Sequence, residues 1–400
     1  MRYDFDEIID RKGTNAMSVE GFRQYIFHDD RIQFPYKDDE FVRMWVADME
    51  FATPDVVRNA IKERVDRGIF GYTKIFDPEY YNAFVKWTRG HYGWNFEKEW
   101  LVTSPGIIPA LFELVGYICE RCEKVLIMTP SYAYFKHASD FHGRGLVCSN
   151  LKNDAGYYMM DFDDLRKKAA DGETKLCIFC NPHNPTGRVW TKEELETFGQ
   201  ICVENDLWIV SDEIHCDLLR TGKKHIPLAK LFPSYSKLVT CMAPSKTFNL
   251  AGLMFSNIII PDKGLRDTWK ARHYDFENPL SIATAQAAYA HGEEWLRQLK
   301  MYLDENFAFV ESYLKEHLPE AEFRVSEATY LAWVNVGAYL KGGKDDAFLP
   351  LLFAEKAGVL LEGGDMFVAN SKGYIRLNLA CPRATVKTGL ERIRAYLSLG

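Results

Sequence analysis

The residue with the most chemistry to offer is a lysine at the end of an apolar run. Lys246 stands in Ala243-Pro244-Ser245-Lys246-Thr247-Phe248-Asn249-Leu250-Ala251-Gly252, directly after Leu238 to Met242. Most lysines are solvated surface residues, but among small and apolar neighbours desolvation depresses the amine pKa and favours a nucleophile. Asp212, in Ser211-Asp212-Glu213-Ile214-His215, follows the apolar run Leu207 to Val210. A buried acid needs a partner, and a heterocyclic nitrogen held protonated would serve. A third run, Lys175 to Cys180, leads into Asn181-Pro182-His183-Asn184-Pro185-Thr186-Gly187. Two Asn-Pro steps followed by Gly force a non-helical bend and fix the direction of the Asn184 amide. A fourth, Leu101 to Thr103, ends in Ser104-Pro105-Gly106-Ile107-Ile108-Pro109, a turn opening a helix whose free N–H groups suit a phosphate. That turn matches neither the Walker pattern nor GxGxxG. Taken singly, these are a surface lysine, a solvated acid, a tight loop and an ordinary helix start. Together, an amine, an acid, a fixed amide and a phosphate turn are the parts that a pyridoxal phosphate site requires.

The elements that must position these residues are visible in the same pattern. From about Trp100, short apolar runs read as strands: Leu101 to Ser104, Lys124 to Thr129, Gly145 to Asn150, Lys175 to Asn181, Leu207 to Asp212, Leu238 to Ala243 and Ser256 to Pro261. Amphipathic stretches at Ile107 to Glu120, Thr191 to Glu204 and Ala283 to Tyr302 read as helices between or after them. Such alternation predicts an α/β fold, a mostly parallel sheet wrapped by helices, with ligands at the carboxyl ends of the strands. After about His291 the rhythm changes to a long helix, strands within Glu322 to Val336, a helix near Phe348 to Ala357 and a strand Tyr374 to Asn378. The expected division is therefore a segment 1–45 joining the small domain, a large domain 46–290 and a small α+β domain 291–400.

Composition excludes several classes. Four hundred residues with 47% hydrophobic content describe a globular chain with an ample core. A net charge of -7 offers no broad basic face to nucleic acid or to an anionic membrane. No apolar stretch reaches the roughly 20 residues needed to span a bilayer. Met1 to Asp10 carries acids where a signal peptide needs a basic region, so the expected location is the cytoplasm. The nine cysteines are scattered and read as reduced thiols. Cys119 with Cys122 and Cys177 with Cys180 have CxxC spacing, but one pair falls in a helical stretch and the other in a buried-strand pattern, so no metal is expected.

In this order and spacing the motifs resemble the class I/II aminotransferase superfamily, of fold-type I architecture. Trp45-Val46-Ala47-Asp48-Met49-Glu50-Phe51, Ser211 to His215 and Ala243 to Gly252 are similar within it to the MalY/PatB-type carbon–sulfur lyases, which include cystathionine β-lyases. The likeness runs along nearly the whole chain. It implies that Lys246 forms a Schiff base with the cofactor, that Asp212 pairs with the pyridinium nitrogen, and that Asn184 hydrogen-bonds the phenolic oxygen. It implies further that Tyr132 stacks on the ring, that Gly106, Ile107 and Ser245 hold the phosphate, and that His215 borders the cofactor. Arg376, in Tyr374-Ile375-Arg376-Leu377-Asn378, matches the arginine that grips the substrate α-carboxylate, with Ala47 and Asn184 also placed at the substrate. Tyr72, in Gly71-Tyr72-Thr73, is similar to a tyrosine that reaches the phosphate from the neighbouring subunit, which implies a homodimer with shared active sites and a catalytic part for Tyr72. From the residues alone, Tyr132 reads as a core aromatic and Arg376 as a surface charge.

Three positions depart from the general aminotransferase pattern: His215 stands for a tyrosine, Ala243 for a serine and Met254 for an arginine. The lyase-like sequences share the first two. Spacing does not separate the outcomes open to such a site, because one lysine and one acid serve both transamination and β-elimination. The resemblance implies β-elimination from L-cystathionine or a related cysteine S-conjugate, giving a thiol such as homocysteine, pyruvate and ammonia. Transamination of neutral or aromatic amino acids is the second reading. A third, of another class, is a regulatory binding protein that contacts a transcription factor.

Overall fold

A computed structural model describes residues 2–273, 276–340 and 348–398. Seven strands form the central sheet: β1 (Leu101–Ser104), β2 (Lys124–Thr129), β3 (Gly145–Asn150), β4 (Thr174–Cys180), β5 (Trp208–Asp212), β6 (Leu238–Met242) and β7 (Ser256–Ile259). Their order in space is β1-β7-β6-β5-β4-β2-β3. β7 runs antiparallel to both of its neighbours, and the other pairings are parallel. β1 to β6 therefore present their carboxyl ends at one edge. Helices cover both faces, which is why the inner strands read as unbroken apolar runs; every residue of β6 is buried. The helix Lys192–Glu204 starts where a capping box predicts: Thr191 accepts from the Glu194 N–H, and the Glu194 side chain accepts from the Thr191 N–H.

A second, antiparallel sheet contains β8 (Glu322–Phe323), β9 (Leu331–Asn335), β10 (Glu362–Gly363) and β11 (Tyr374–Asn378), in the order β8-β9-β11-β10. Its register sets Arg376 of β11 between Trp333 of β9 and Glu362 of β10. Val42–Arg43 pairs in parallel with Val359–Leu360, tying the early chain to this region.

One expectation needs correction. The stretch Ala283 to Tyr302 is not one helix: Pro279–His291 and Glu293–His317 meet at Gly292. A Cβ there would lie 2.4 Å from the Phe248 ring and 2.5 Å from the Ala288 carbonyl, so the junction depends on glycine's bareness. The strands expected within Glu322 to Val336 are β8 and β9, joined by an irregular connection that passes through Thr329 at a φ of 71°. Among the described residues no helix is long and apolar enough to cross a membrane.

Candidate active site

The carboxyl ends of β1, β4, β5 and β6 converge on a cavity of about 230 Å3. Ala47, Gly106, Ile107, Tyr132, Asn184, Asp212, His215, Ser245, Lys246 and Arg376 all line it. Tyr72 does not. It lies on the surface, 93% exposed, with its ring 5.0 Å from that of Phe276.

Lys246 rides on the one-turn helix Pro244–Thr247 that follows β6. Its amine donates to the Ala47 carbonyl at 2.6 Å, an oxygen that also accepts from the Tyr330 hydroxyl at 2.7 Å. Burial pulls the Lys246 pKa down to about 8, with Arg376 acting in the same sense and Asp48 and Asp212 opposing. The turn beneath is anchored by Thr247, which donates at 2.7 Å to the buried Asp217 carboxylate; Asp217 also accepts from Trp87 at 3.0 Å and from Tyr92.

Asp212 closes β5. Burial raises its carboxyl to about 7 against the Ile214 N–H, which donates to it at 3.1 Å, and against the charge of Lys246. Glu213 turns the other way, accepting from Ser211 at 2.8 Å and from the Leu228 N–H at 3.1 Å and pairing with His225 at 2.7 Å. The two adjacent acids thus have separate work: Glu213 knits the loops behind the sheet and Asp212 faces the cavity. His215 is buried, and burial together with the Lys246 and Arg376 charges drives its pKa to about 3, so the ring is neutral.

The bend after β4 contains cis Asn181–Pro182 and Asn184–Pro185 peptides. Asn184 is buried and its amide oxygen accepts from the Arg376 guanidinium at 3.0 Å. Arg376 also meets the Trp45 carbonyl at 3.5 Å and pairs with Glu362, while its Nε is buried without a hydrogen-bond partner. Far from being surface charge, Arg376 is 1% exposed. On the opposite wall, Gly106 caps the helix Ile107–Ile118 with no side chain to satisfy the first N–H groups. Tyr132 lies nearby, its phenol raised well above its usual pKa by burial.

These features fit pyridoxal phosphate. An uncapped helix start with Ser245 alongside suits a phosphate. The buried Asp212 carboxylate, with no ion pair among the described residues, suits a protonated ring nitrogen. An amine that loses its proton near pH 8 suits condensation with an aldehyde.

Tyr25 and Glu362 also line the cavity, and neither was expected from sequence. For Tyr25 the sequence holds no signal, since it arrives from the distant distorted turn Arg23–Phe27. Glu362 did carry one: it ends the apolar run Val359-Leu360-Leu361, and the reasoning that singled out Asp212 applies to it equally.

Comparison with known proteins places the chain among relatives of one family. Residues 40–393 match the family described as aminotransferase class I and II. The chain is 39% identical to cystathionine beta-lyase PatB of Bacillus subtilis (strain 168), over 89% of this chain and 92% of that protein. It is 28% identical to protein MalY of Escherichia coli (strain K12), over 97% of each. Among solved structures, the PLP-bound C-S lyase from Staphylococcus hominis superposes with a TM-score of 0.95 at 53% identity, covering 99% of this chain and 98% of that one.

Proposed function

The chain belongs to the aminotransferase class I and II family, and from that premise we propose that it is a pyridoxal-phosphate-dependent carbon–sulfur β-lyase. It cleaves L-cystathionine or a related cysteine S-conjugate, with water, to a thiol, pyruvate and ammonia. The observation that carries this reading over transamination is the whole-length likeness to proteins named as cystathionine and C-S lyases, above all at 53% identity.

When bound, the cofactor supplies an electron sink that lets a proton leave Cα and sulfur leave Cβ. Lys246 holds it, and the same amine takes the Cα proton; a pKa near 8 leaves roughly a tenth of that base unprotonated at pH 7 and about half at pH 8. Asp212 keeps the ring nitrogen protonated, and its depth in the cavity prevents water from screening the pair. Asn184 fixes both the cofactor and Arg376, coupling the position of the reacting carbon to that of the substrate carboxylate. Ala47, whose carbonyl meets the Lys246 amine, contributes to the substrate wall. Gly106, Ile107 and Ser245 hold the phosphate, Tyr132 stacks on the ring and the neutral His215 borders it. A homodimer belongs to this reading, with Tyr72 completing the neighbour's phosphate site.

Incubation of the purified protein with L-cystathionine and no added 2-oxo acid tests the proposal: pyruvate, ammonia and a thiol are expected in equal amounts. Transfer of the amino group to an added oxo acid without pyruvate would overturn it. Borohydride trapping followed by peptide mapping tests the attachment separately, with the reduced adduct expected at Lys246.

A further inference from the structure

We propose that Glu362 selects substrates by the charge carried on the group attached to sulfur, favouring a cationic substituent and rejecting an anionic one. This rests on the β-lyase reading above and names a determinant within the same site.

Glu362 is a buried carboxylate in β10, directly across from Arg376 in β11 and ion-paired with it. The pair is electrically neutral. A substrate α-carboxylate arriving at Arg376, whose buried Nε is still without a partner, would set two anions on one guanidinium. Like charges crowded at a desolvated site are unfavourable unless a cation joins them or one of the carboxyls takes up a proton, towards which burial already pushes Glu362. Asn184, the other side chain on this guanidinium, is neutral and cannot compensate.

The position of Glu362 decides where that cation would come from. Glu362, Tyr25 and Tyr132 line both the inner cavity and a contiguous outer groove of about 980 Å3. They form the neck between the two. A substrate anchored by its carboxylate at Arg376 and by its amine near Lys246 has this neck beside its sulfur, so a substituent extending into the groove passes the Glu362 carboxylate. Of the groove's other charges, Lys136 pairs with Asp140, while Asp365 accepts from the Leu349 N–H at 3.2 Å and keeps its negative charge, which also disfavours an anionic substituent. An ammonium on the substituent would meet Glu362 and restore neutrality, whereas a carboxylate there would add a third anion.

Three substrates of similar length test this: S-(2-aminoethyl)-L-cysteine, S-propyl-L-cysteine as the neutral reference, and S-carboxymethyl-L-cysteine. The parent protein should release pyruvate from the aminoethyl compound with a kcat/KM about tenfold or more above that for the carboxymethyl compound. Glu362→Gln should bring the two within about threefold of each other, each normalised to the propyl reference in the same protein. Equal or faster cleavage of the carboxymethyl compound by the parent overturns the proposal without any variant. A ratio unchanged in Glu362→Gln overturns it as well. If none of the three yields pyruvate, L-cystathionine run alongside decides the lyase reading, which fails only if it too gives none. In either case the concentration dependence of the cofactor's absorbance change with the same three compounds still reports whether Glu362 discriminates by charge.

Discussion

Lys246 and Asp212 carry pKa values displaced in opposite directions by the same burial, and this makes the stability of the cofactor-free protein depend on pH in two arms. Asp212 loses its proton at about 3.9 when unfolded and at about 7 when folded. Between those values the folded chain binds the extra proton, so stability falls as pH rises. Lys246 titrates at about 10.4 when unfolded and at about 8 when folded. In that upper window the unfolded chain binds the extra proton, so stability climbs again. The buried, neutral His215 and His183, both pulled down to about 3, add a rising contribution between about pH 4 and 6.5, so the arms are read as differences. In urea denaturation from pH 4 to 10 the stability of the parent relative to Asp212→Asn should fall by no more than about 4 kcal/mol up to about pH 7, and relative to Lys246→Met should rise by no more than about 3 kcal/mol above about pH 8. Asp212→Asn should remove the descending arm and Lys246→Met the ascending one. An Asp212→Asn profile that superimposes on the parent's would refute the assignment. These two residues were legible in the sequence because each interrupts or ends an apolar run with a charge. Glu362 does the same, yet its run is short and unaccompanied by turn residues. What drew attention to Asp212 was its company at other strand ends, and Glu362 comes from a different sheet.

At the scale of elements, the segment from Trp45 to Phe51 shapes the cavity wall without belonging to either sheet. Asn249 accepts from the Met49 N–H at 3.0 Å and donates to the Met49 and Phe51 carbonyls at 2.9 and 3.0 Å. Asn378 donates to the Val46 and Asp48 carbonyls at 2.7 and 2.6 Å. Two asparagine side chains thus suspend the segment between the Lys246 turn and β11, and they fix the Ala47 carbonyl against the amine. Asn249 sits at a φ of 59°, a left-handed conformation that asparagine and glycine tolerate. Asn249→Gly keeps that backbone and loses only the side-chain bonds. It should destabilise the protein by about 2 to 3 kcal/mol and lower kcat by about tenfold through misplacement of the wall. Asn249→Ala should cost about 1 kcal/mol more from backbone strain. Denaturation and steady-state rates measure both, and parent-like values for Asn249→Gly would show that the segment is held otherwise. Sequence periodicity found the seven central strands to within a residue or two because burial on both faces leaves a plain apolar run. It could not find this suspended segment, whose bonds join residues some 200 and 330 positions apart. Nor could it find the break at Gly292, where the Phe248 ring leaves no room for a side chain and helical character resumes at once on the other side.

The whole molecule carries large apolar side chains exposed around Tyr72. Ile69, Phe70, Tyr72, Phe76 and Phe276 are exposed by between 54% and 93%, a concentration of large apolar groups that marks an interaction face. Hydropathy alone assigns such residues to a core, and only the folded chain reveals that they stand more than half exposed. The segment is well anchored, with Thr73 bridged to Glu277, so Tyr72 projects outward from a fixed base. If a second copy of the chain covers this face and Tyr72 serves the partner's cavity, each site draws Lys246 from one subunit and Tyr72 from the other. A hybrid of Lys246→Ala and Tyr72→Ala subunits then assembles one complete site and one doubly defective site. Coexpression with two different affinity tags isolates that hybrid. Its specific activity should be about half that of the parent dimer, although the Lys246→Ala homodimer is inactive and the Tyr72→Ala homodimer is impaired at both sites. A hybrid no more active than the mean of its two parents would place both residues at the same subunit's site, or leave Tyr72 without a part in catalysis.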